Sequence, residues 1–326
     1  MHDMADVVAR SYGLGAGPWT MRPVTRGAMG QIWKLSGNGS AWAVKELLFG
    51  CDEEQVRREA ALRQAAEHLG IRSPRLIPAL DGAHVSRLVT APGDSWVKLY
   101  DWVEGTTADA SDPAVLDWFG RTMALLHRAG EGARERPVPW YEQCPRDADW
   151  KELHRKVGEA GLPWADALAR FVDTSAAELA RWVSPTDSDD LVTSHVDLQP
   201  QNVLVDAAGP VLLDWDNAGP VSAERELARA LWVWSGGNEA DTGAARRLAR
   251  AYRDAGGRAT VTGPQSFSML FATELNYVYV QAECAVDPEV TAGQREFASG
   301  QVVARLTGVP DPAAVTRLTT ALRGVW

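Results

Sequence analysis

The chain has 326 residues and a formal net charge of −10, from 33 Lys and Arg against 43 Asp and Glu. Hydrophobic residues make up 45% and charged residues 23%, which excludes wholesale disorder, and no run of about eighteen apolar residues offers a membrane span. The acidic balance argues against a nucleic-acid partner, whose phosphates require a surplus of Lys and Arg.

Cys51, Cys144 and Cys284 are odd in number and widely spaced, so they form neither a disulfide framework nor a zinc pattern. The opening Met1-His2-Asp3-Met4-Ala5-Asp6 has no basic run and does not read as a secretory signal. A reduced, cytoplasmic setting is the expectation.

Up to about residue 104 the texture is β-rich. Gln31 to Leu35, Ala41 to Lys45, Ser86 to Thr90 and Trp96 to Trp102 read as strands, and turn-rich pieces such as Ser36-Gly37-Asn38-Gly39-Ser40 make the sheet antiparallel. One helix, about Glu53 to Leu69, interrupts them, and Asp52 with Gln55 three residues on resembles a capping box. Beyond Gly105 the periodicity is helical, beginning with Asp112-Pro113 and a run to about Ala129. Further helices are expected over 147–160, 163–182, 223–234, 239–255, 264–284 and 292–306. The organisation predicted is a β-rich lobe, residues 1–104, a linker near Asp101 to Gly105, and an α-rich lobe, residues 105–326.

The chemistry concentrates in Thr193-Ser194-His195-Val196-Asp197-Leu198-Gln199-Pro200-Gln201-Asn202, followed by Val203 to Asp216. Val203 to Val205 and Val211 to Leu213 read as a hairpin closed by Ala207, Ala208 and Gly209. That register pairs 205 with 211 and sets Asn202 opposite Asp214, where an amide oxygen and a carboxylate can share one ion. Mg²⁺ suits such a pair, because it takes few protein oxygens and completes its shell with water and substrate phosphates. Asp197, on a loop braced by Pro200, is placed to accept a hydroxyl proton as a P–O bond forms.

His195-Val196-Asp197 with Asn202, then Leu213-Asp214-Trp215-Asp216, resembles the catalytic and metal loops of the aminoglycoside phosphotransferase and choline kinase superfamily. Leu126-His127 and Glu226-Leu227-Ala228 match further segments of it. The resemblance implies an α+β, bilobal protein-kinase-like fold and a Mg²⁺-dependent enzyme that uses ATP or GTP. Asp197 would then be the catalytic base, Asn202 and Asp214 the metal ligands, and His195 a structural brace. Asp216 would support the metal site or the acceptor end.

Such a fold also needs a strand lysine on the phosphates and a helical glutamate to hold it. Lys45 and Glu59 fill these places, and Glu59 shares a helical face with Val56, Leu62 and Ala66, where it needs a cation. Gly27 and Gly30 would let backbone N–H groups approach phosphate oxygens. In the hinge from Leu99 to Gly105, Asp101 and Val103 would contact the purine, with Tyr100 at the back of its pocket. A helix resumes soon after Asp214, which leaves no room for a peptide-docking loop, so the acceptor is expected to be a small molecule rather than a protein. Trp234, with Glu274 and Tyr277 on one face of a polar, aromatic helix, suits a cationic acceptor such as an aminoglycoside or amino sugar. A metabolic kinase of the choline or homoserine type and a non-catalytic nucleotide binder are the alternatives.

Overall fold

The computed structural model describes residues 2–27, 29–90, 93–186 and 190–326. They form two compact units: residues up to Ala108 together with His195–Gly219, and Asp109–Ser194 together with Pro220–Trp326. The expected boundary near residue 104 therefore does not account for the His195–Gly219 segment, which packs with the β-rich unit.

In the first unit, α1 (His2–Ser11) precedes β1 (Thr20–Arg26), β2 (Gly30–Gly37) and β3 (Ser40–Leu47). Then come α2 (Glu53–His68), β4 (Leu76–Ile77), β5 (Ser86–Thr90), β6 (Gly93–Asp101) and β7 (Thr106–Thr107). The main sheet runs β1-β2-β3-β6, with β4 and β5 both pairing β6 beyond it. Asn38 and Gly39, at φ +53° and +74°, close the β2–β3 hairpin in the left-handed conformation that suits the strand twist.

Side chains alternate across a strand, and here the two faces differ in kind. Leu35, Val44, Val97 and Leu99 are fully buried in a core shared with Ala5, Val8 and Ala9 of α1 and with Tyr12 just beyond it. Their neighbours Lys45, Lys98 and Tyr100 consequently lie on the opposite face. Helix α1 and strand β1 had no counterpart among the expected elements.

Asp52 caps α2 by accepting the N–H groups of Glu54 and Gln55 at 2.9 and 3.1 Å. The second half of the expected capping box is absent, because Gln55 donates its side-chain amide to Asp216 O and Ala218 O at 2.7 and 2.8 Å. Gln55, in the first turn, thus ties the helix to the loop after Asp214.

In the second unit, α3 (Pro113–Ala129), α4 (Pro139–Glu142), α5 (Asp147–Glu159), α6 (Ala165–Phe171) and α7 (Ala177–Ala180) come first, a π-helical turn joining the last two. Strand β8 (Leu191–Ser194) leads out of this unit. Strands β9 (Val203–Asp206) and β10 (Gly209–Leu212) then form the hairpin of the first unit, and β7 pairs β9. Strand β11 (Gly219–Ser222) pairs β8 and is followed by α8 (Ala223–Ser235), α9 (Thr242–Asp254), α10 (Ser268–Val286), α11 (Ala292–Thr307) and α12 (Pro312–Leu322). Within this unit His127 bonds Glu226 and the Tyr252 hydroxyl, each at 2.8 Å. The two outlying family-like segments therefore meet in a buried polar brace. No helix among the described residues is long and apolar enough to cross a membrane.

The β9–β10 hairpin is one residue out from the expected register. Asp206 accepts the Ala208 N–H at 2.7 Å, which tightens the turn to Ala207 and Ala208 and pairs 206 with 209 and 203 with 212. Asn202 accordingly bonds the Leu213 N–H through its carbonyl, at 2.8 Å, and Asp214 falls one residue past the ladder at φ +55°.

Gly130, just after α3, lies so close to β8 that an added Cβ would stand 1.8 Å from Thr193 O. Backbone cannot yield as a flexible side chain does. Gly130→Ala is expected to destabilise the protein by more than about 3 kcal/mol in chemical unfolding.

Candidate active site

The segment from His195 to Asn202 is held from within. His195 is fully buried, and its Nδ1 accepts the Asp197 N–H at 3.3 Å, which leaves the proton on Nε2 to be donated to Leu213 O at 2.8 Å. Its ring also packs on Trp215 at 4.8 Å. The expected bracing role fits this geometry. Val196 has φ +67°, a conformation costly for a β-branched residue and tolerated where surrounding contacts fix the backbone.

The Asp197 carboxylate is clamped between amides. Gln199 Nε2 donates to one oxygen at 2.6 Å and Asn202 Nδ2 to the other at 2.9 Å. Asn202 Nδ2 also reaches Asp197 O at 2.9 Å. With its nitrogen spent, the end of Asn202 suited to a cation is its amide oxygen. A carboxylate oriented in this way can take a proton without reorganising.

The same compact unit also holds a chain of alternating charge. Lys45 Nζ contacts Asp214 at 2.6 Å and Asp216 at 2.8 Å. Lys98 Nζ contacts Asp216 at 2.5 Å and Glu59 at 2.6 Å. Tyr100 donates its hydroxyl to the other Glu59 oxygen at 2.9 Å. Glu59 is only 1% exposed and Lys98 2%, so this carboxylate does sit on the apolar face of α2 and does meet a cation.

The cation is not the expected one. Lys98 takes Glu59, because it and Tyr100 project from β6 on the α2 side, whereas Lys45 is drawn to the two aspartates. Lys98 was missed in the sequence, although its alternation with Tyr100 on one strand was legible there.

Burial alone would depress the Lys45 ammonium, but Asp214 and Asp216 outweigh it and hold its pKa above the usual lysine range. Burial would likewise raise the Asp216 carboxyl, and Lys45 and Lys98 together hold it below the usual range. The Tyr100 phenol is pushed well up, first by burial and then by the charges of Glu59 and Asp216. Tyr100→Phe removes one donor from a buried carboxylate and is expected to lower stability by about 1–3 kcal/mol in urea unfolding, with Tyr100→Trp no substitute.

The other expected residues divide. Gly30 packs on Lys45, where an added Cβ would stand 3.1 Å from Lys45 Cε. Gly27 gives its N–H to Gly30 O at 2.8 Å, so that donor closes its own turn and is not left for a phosphate; Ala28 lies outside the described residues. Asp101 spends its N–H on Arg75 O at 3.2 Å and its carboxylate on the Arg75 guanidinium at 2.7 Å, so both groups are engaged within the protein. Val103 follows in irregular backbone.

Trp234 is a core residue and not a pocket wall: it is 1% exposed and stacks on Phe119 with ring centroids 4.1 Å apart. Glu274 pairs with Arg305 at 3.3 Å, and the same guanidinium lies over the Tyr277 ring at 4.9 Å. These two therefore share a cation that the protein itself supplies. Burial raises the Glu274 carboxyl against the pull of Arg305, and its Oε1 has no partner among the described residues.

For a metal, the donors with the right chemistry are the Asn202 amide oxygen and the Asp214 carboxylate, whose side chain is 40% exposed. Among the described residues no three His, Cys, Asp or Glu side chains converge as a metal cage. Mg²⁺ needs only one or two carboxylates when phosphates supply the remainder, so this donor set fits it.

Residues 20–263 match the model of a phosphotransferase enzyme family. No curated protein matches the chain in sequence. Among solved structures, spectinomycin phosphotransferase in complex with ADP and its antibiotic is 15% identical, with a TM-score of 0.64, over 98% of this chain and 97% of that one. A microcompartment-associated aminopropanol kinase is 13% identical, with a TM-score of 0.61, over 99% of each chain. An amicoumacin kinase in complex with AMP-PNP, Ca²⁺ and its antibiotic is 13% identical, with a TM-score of 0.55, over 91% and 92%. At these identities the likeness establishes the fold: an antiparallel sheet region followed by a mainly helical one.

Proposed function

Because the chain belongs to this phosphotransferase enzyme family, matched over residues 20–263, we propose that it moves the terminal phosphoryl group of ATP or GTP to a hydroxyl of a small molecule. The observation that carries this reading is the Asp197 carboxylate, clamped by Gln199 and Asn202 in the same compact unit as the Lys45–Asp214 pair. Asp197 accepts the proton of the acceptor hydroxyl as its oxygen bonds to phosphorus and the bridging oxygen leaves with the diphosphate. Lys45 orients the phosphates. Asn202 and Asp214 hold Mg²⁺, which neutralises phosphate charge when bound. Tyr100, Asp101 and Val103 line the base end, and Gly30 keeps Lys45 in place.

For the acceptor we favour an aminoglycoside-like antibiotic or an amino sugar. The support is the buried, half-partnered Glu274 beside Tyr277, together with the spectinomycin and amicoumacin enzymes among the structural relatives. A metabolic kinase of the choline or homoserine type is the second reading, favoured by the aminopropanol kinase. ADP or GDP release with Mg²⁺ across aminoglycosides, amino sugars, amino alcohols, choline and homoserine separates them. A signal with antibiotics or amino sugars supports the first reading, and one confined to amino alcohols, choline or homoserine the second. Nucleotide binding without transfer to any acceptor would sink both and leave a binding protein.

A further inference from the structure

Lys45 and Lys98 stand directly opposite one another across β3 and β6. Like charges in that relation repel, and the fold keeps them together only by placing carboxylates between and around them. The order along the chain is Asp214, Lys45, Asp216, Lys98, Glu59. Asp216 is shared by the two lysines. Glu59 has both oxygens engaged, one by Lys98 and one by Tyr100. Lys45 is therefore unnecessary to Glu59, and Lys98 is the ammonium that the buried glutamate cannot lose.

We propose that Lys98 is the positioning residue of this site: it, in place of Lys45, is the counter-ion of Glu59, and by anchoring Asp216 it keeps Lys45 available to the donor's phosphates. The second half rests on the phosphotransfer reading; the first does not. With Lys98 gone, Asp216 keeps Lys45 as its sole ammonium and holds it back from an incoming anion. A cation that claims Asp214 would then free Lys45 from one carboxylate but not from the other.

Two measurements test this. In urea unfolding, a double-mutant cycle of Lys98→Met with Glu59→Gln should show coupling of at least about tenfold in the unfolding constant, whereas Lys45→Met with Glu59→Gln should be additive within about twofold. The reverse pattern overturns the pairing. If Lys98→Met does not fold alone, Lys98→Met/Glu59→Leu should recover folding, because both halves of the buried pair are then gone; failure to recover counts against the pairing.

The second measurement is the affinity of AMP-PNP and GMP-PNP in Mg²⁺. Lys98→Met, or its double variant, should weaken the better of the two at least about tenfold, and Lys98→Arg should restore most of it. A merely structural lysine would reduce the folded fraction and leave the affinity of the folded remainder unchanged, and that result overturns the positioning role. Wild-type protein that binds neither nucleotide would overturn the donor reading itself, and the unfolding cycles would still decide the Lys98–Glu59 pairing.

Discussion

Asp197→Ala is expected to lower acceptor-dependent phosphoryl transfer by about 10²–10⁴-fold, the range for loss of a positioned general base. Nucleotide affinity should stay close to wild type, because Asp197 bonds Gln199 and Asn202 and is no part of the lysine chain. Asp197→Asn is the sharper variant. It keeps the side-chain shape and an oxygen for the Asn202 amide, but it cannot take a proton, so its loss should match that of alanine. Initial rates at saturating nucleotide, with nucleotide binding measured on the same preparation, check both. Asparagine at wild-type rate would show that the carboxylate orients the loop and accepts no proton.

The contrast between that loop and the lysine chain shows what the sequence disclosed. Asp197, Asn202 and Asp214 were legible because they fall within eighteen residues of one another, and their residue types admit few other purposes in that order. Glu59 was legible by periodicity, since a carboxylate among Val56, Leu62 and Ala66 has to meet a cation. Which cation it meets was not legible. That depends on the pairing of β3 with β6 and on the side of β6 that α2 covers, and both are set by contacts between segments far apart in sequence. Lys45, being nearer a recognisable pattern, drew an assignment that belongs to Lys98.

The hairpin register failed for a smaller reason. A glycine after two alanines invites a three-residue closure, but the Asp206 side chain supplies an acceptor at the turn and shortens it by one. A one-residue change in register moves a side chain to the opposite face. The result is that Asp214 leaves the ladder, where its left-handed backbone and the Gln55 tether on Asp216 and Ala218 fix its direction instead. The expected cross-strand pairing of Asn202 with Asp214 is therefore not formed by the ladder, which sets Leu213 against Asn202.

Asp214→Ala follows from the same charges and has an unusual sign. The five linked groups carry three carboxylates against two ammoniums, a net formal charge of −1 that opposes a polyphosphate unless a divalent cation is added. Removing Asp214 takes away the exposed carboxylate and one of the two partners of Lys45, while Asp216 remains anchored by Lys98. Nucleotide binding measured in EDTA should therefore be unchanged or tighter than wild type. The gain in affinity on adding Mg²⁺ should vanish, and turnover should fall by at least about 10²-fold, since the metal no longer offsets charge on the transferring group. Titrations with and without Mg²⁺ separate this from a folding defect, which would weaken both. A variant that kept its full Mg²⁺ increment would place the metal on other ligands and leave Asp214 only as a counter-ion for Lys45.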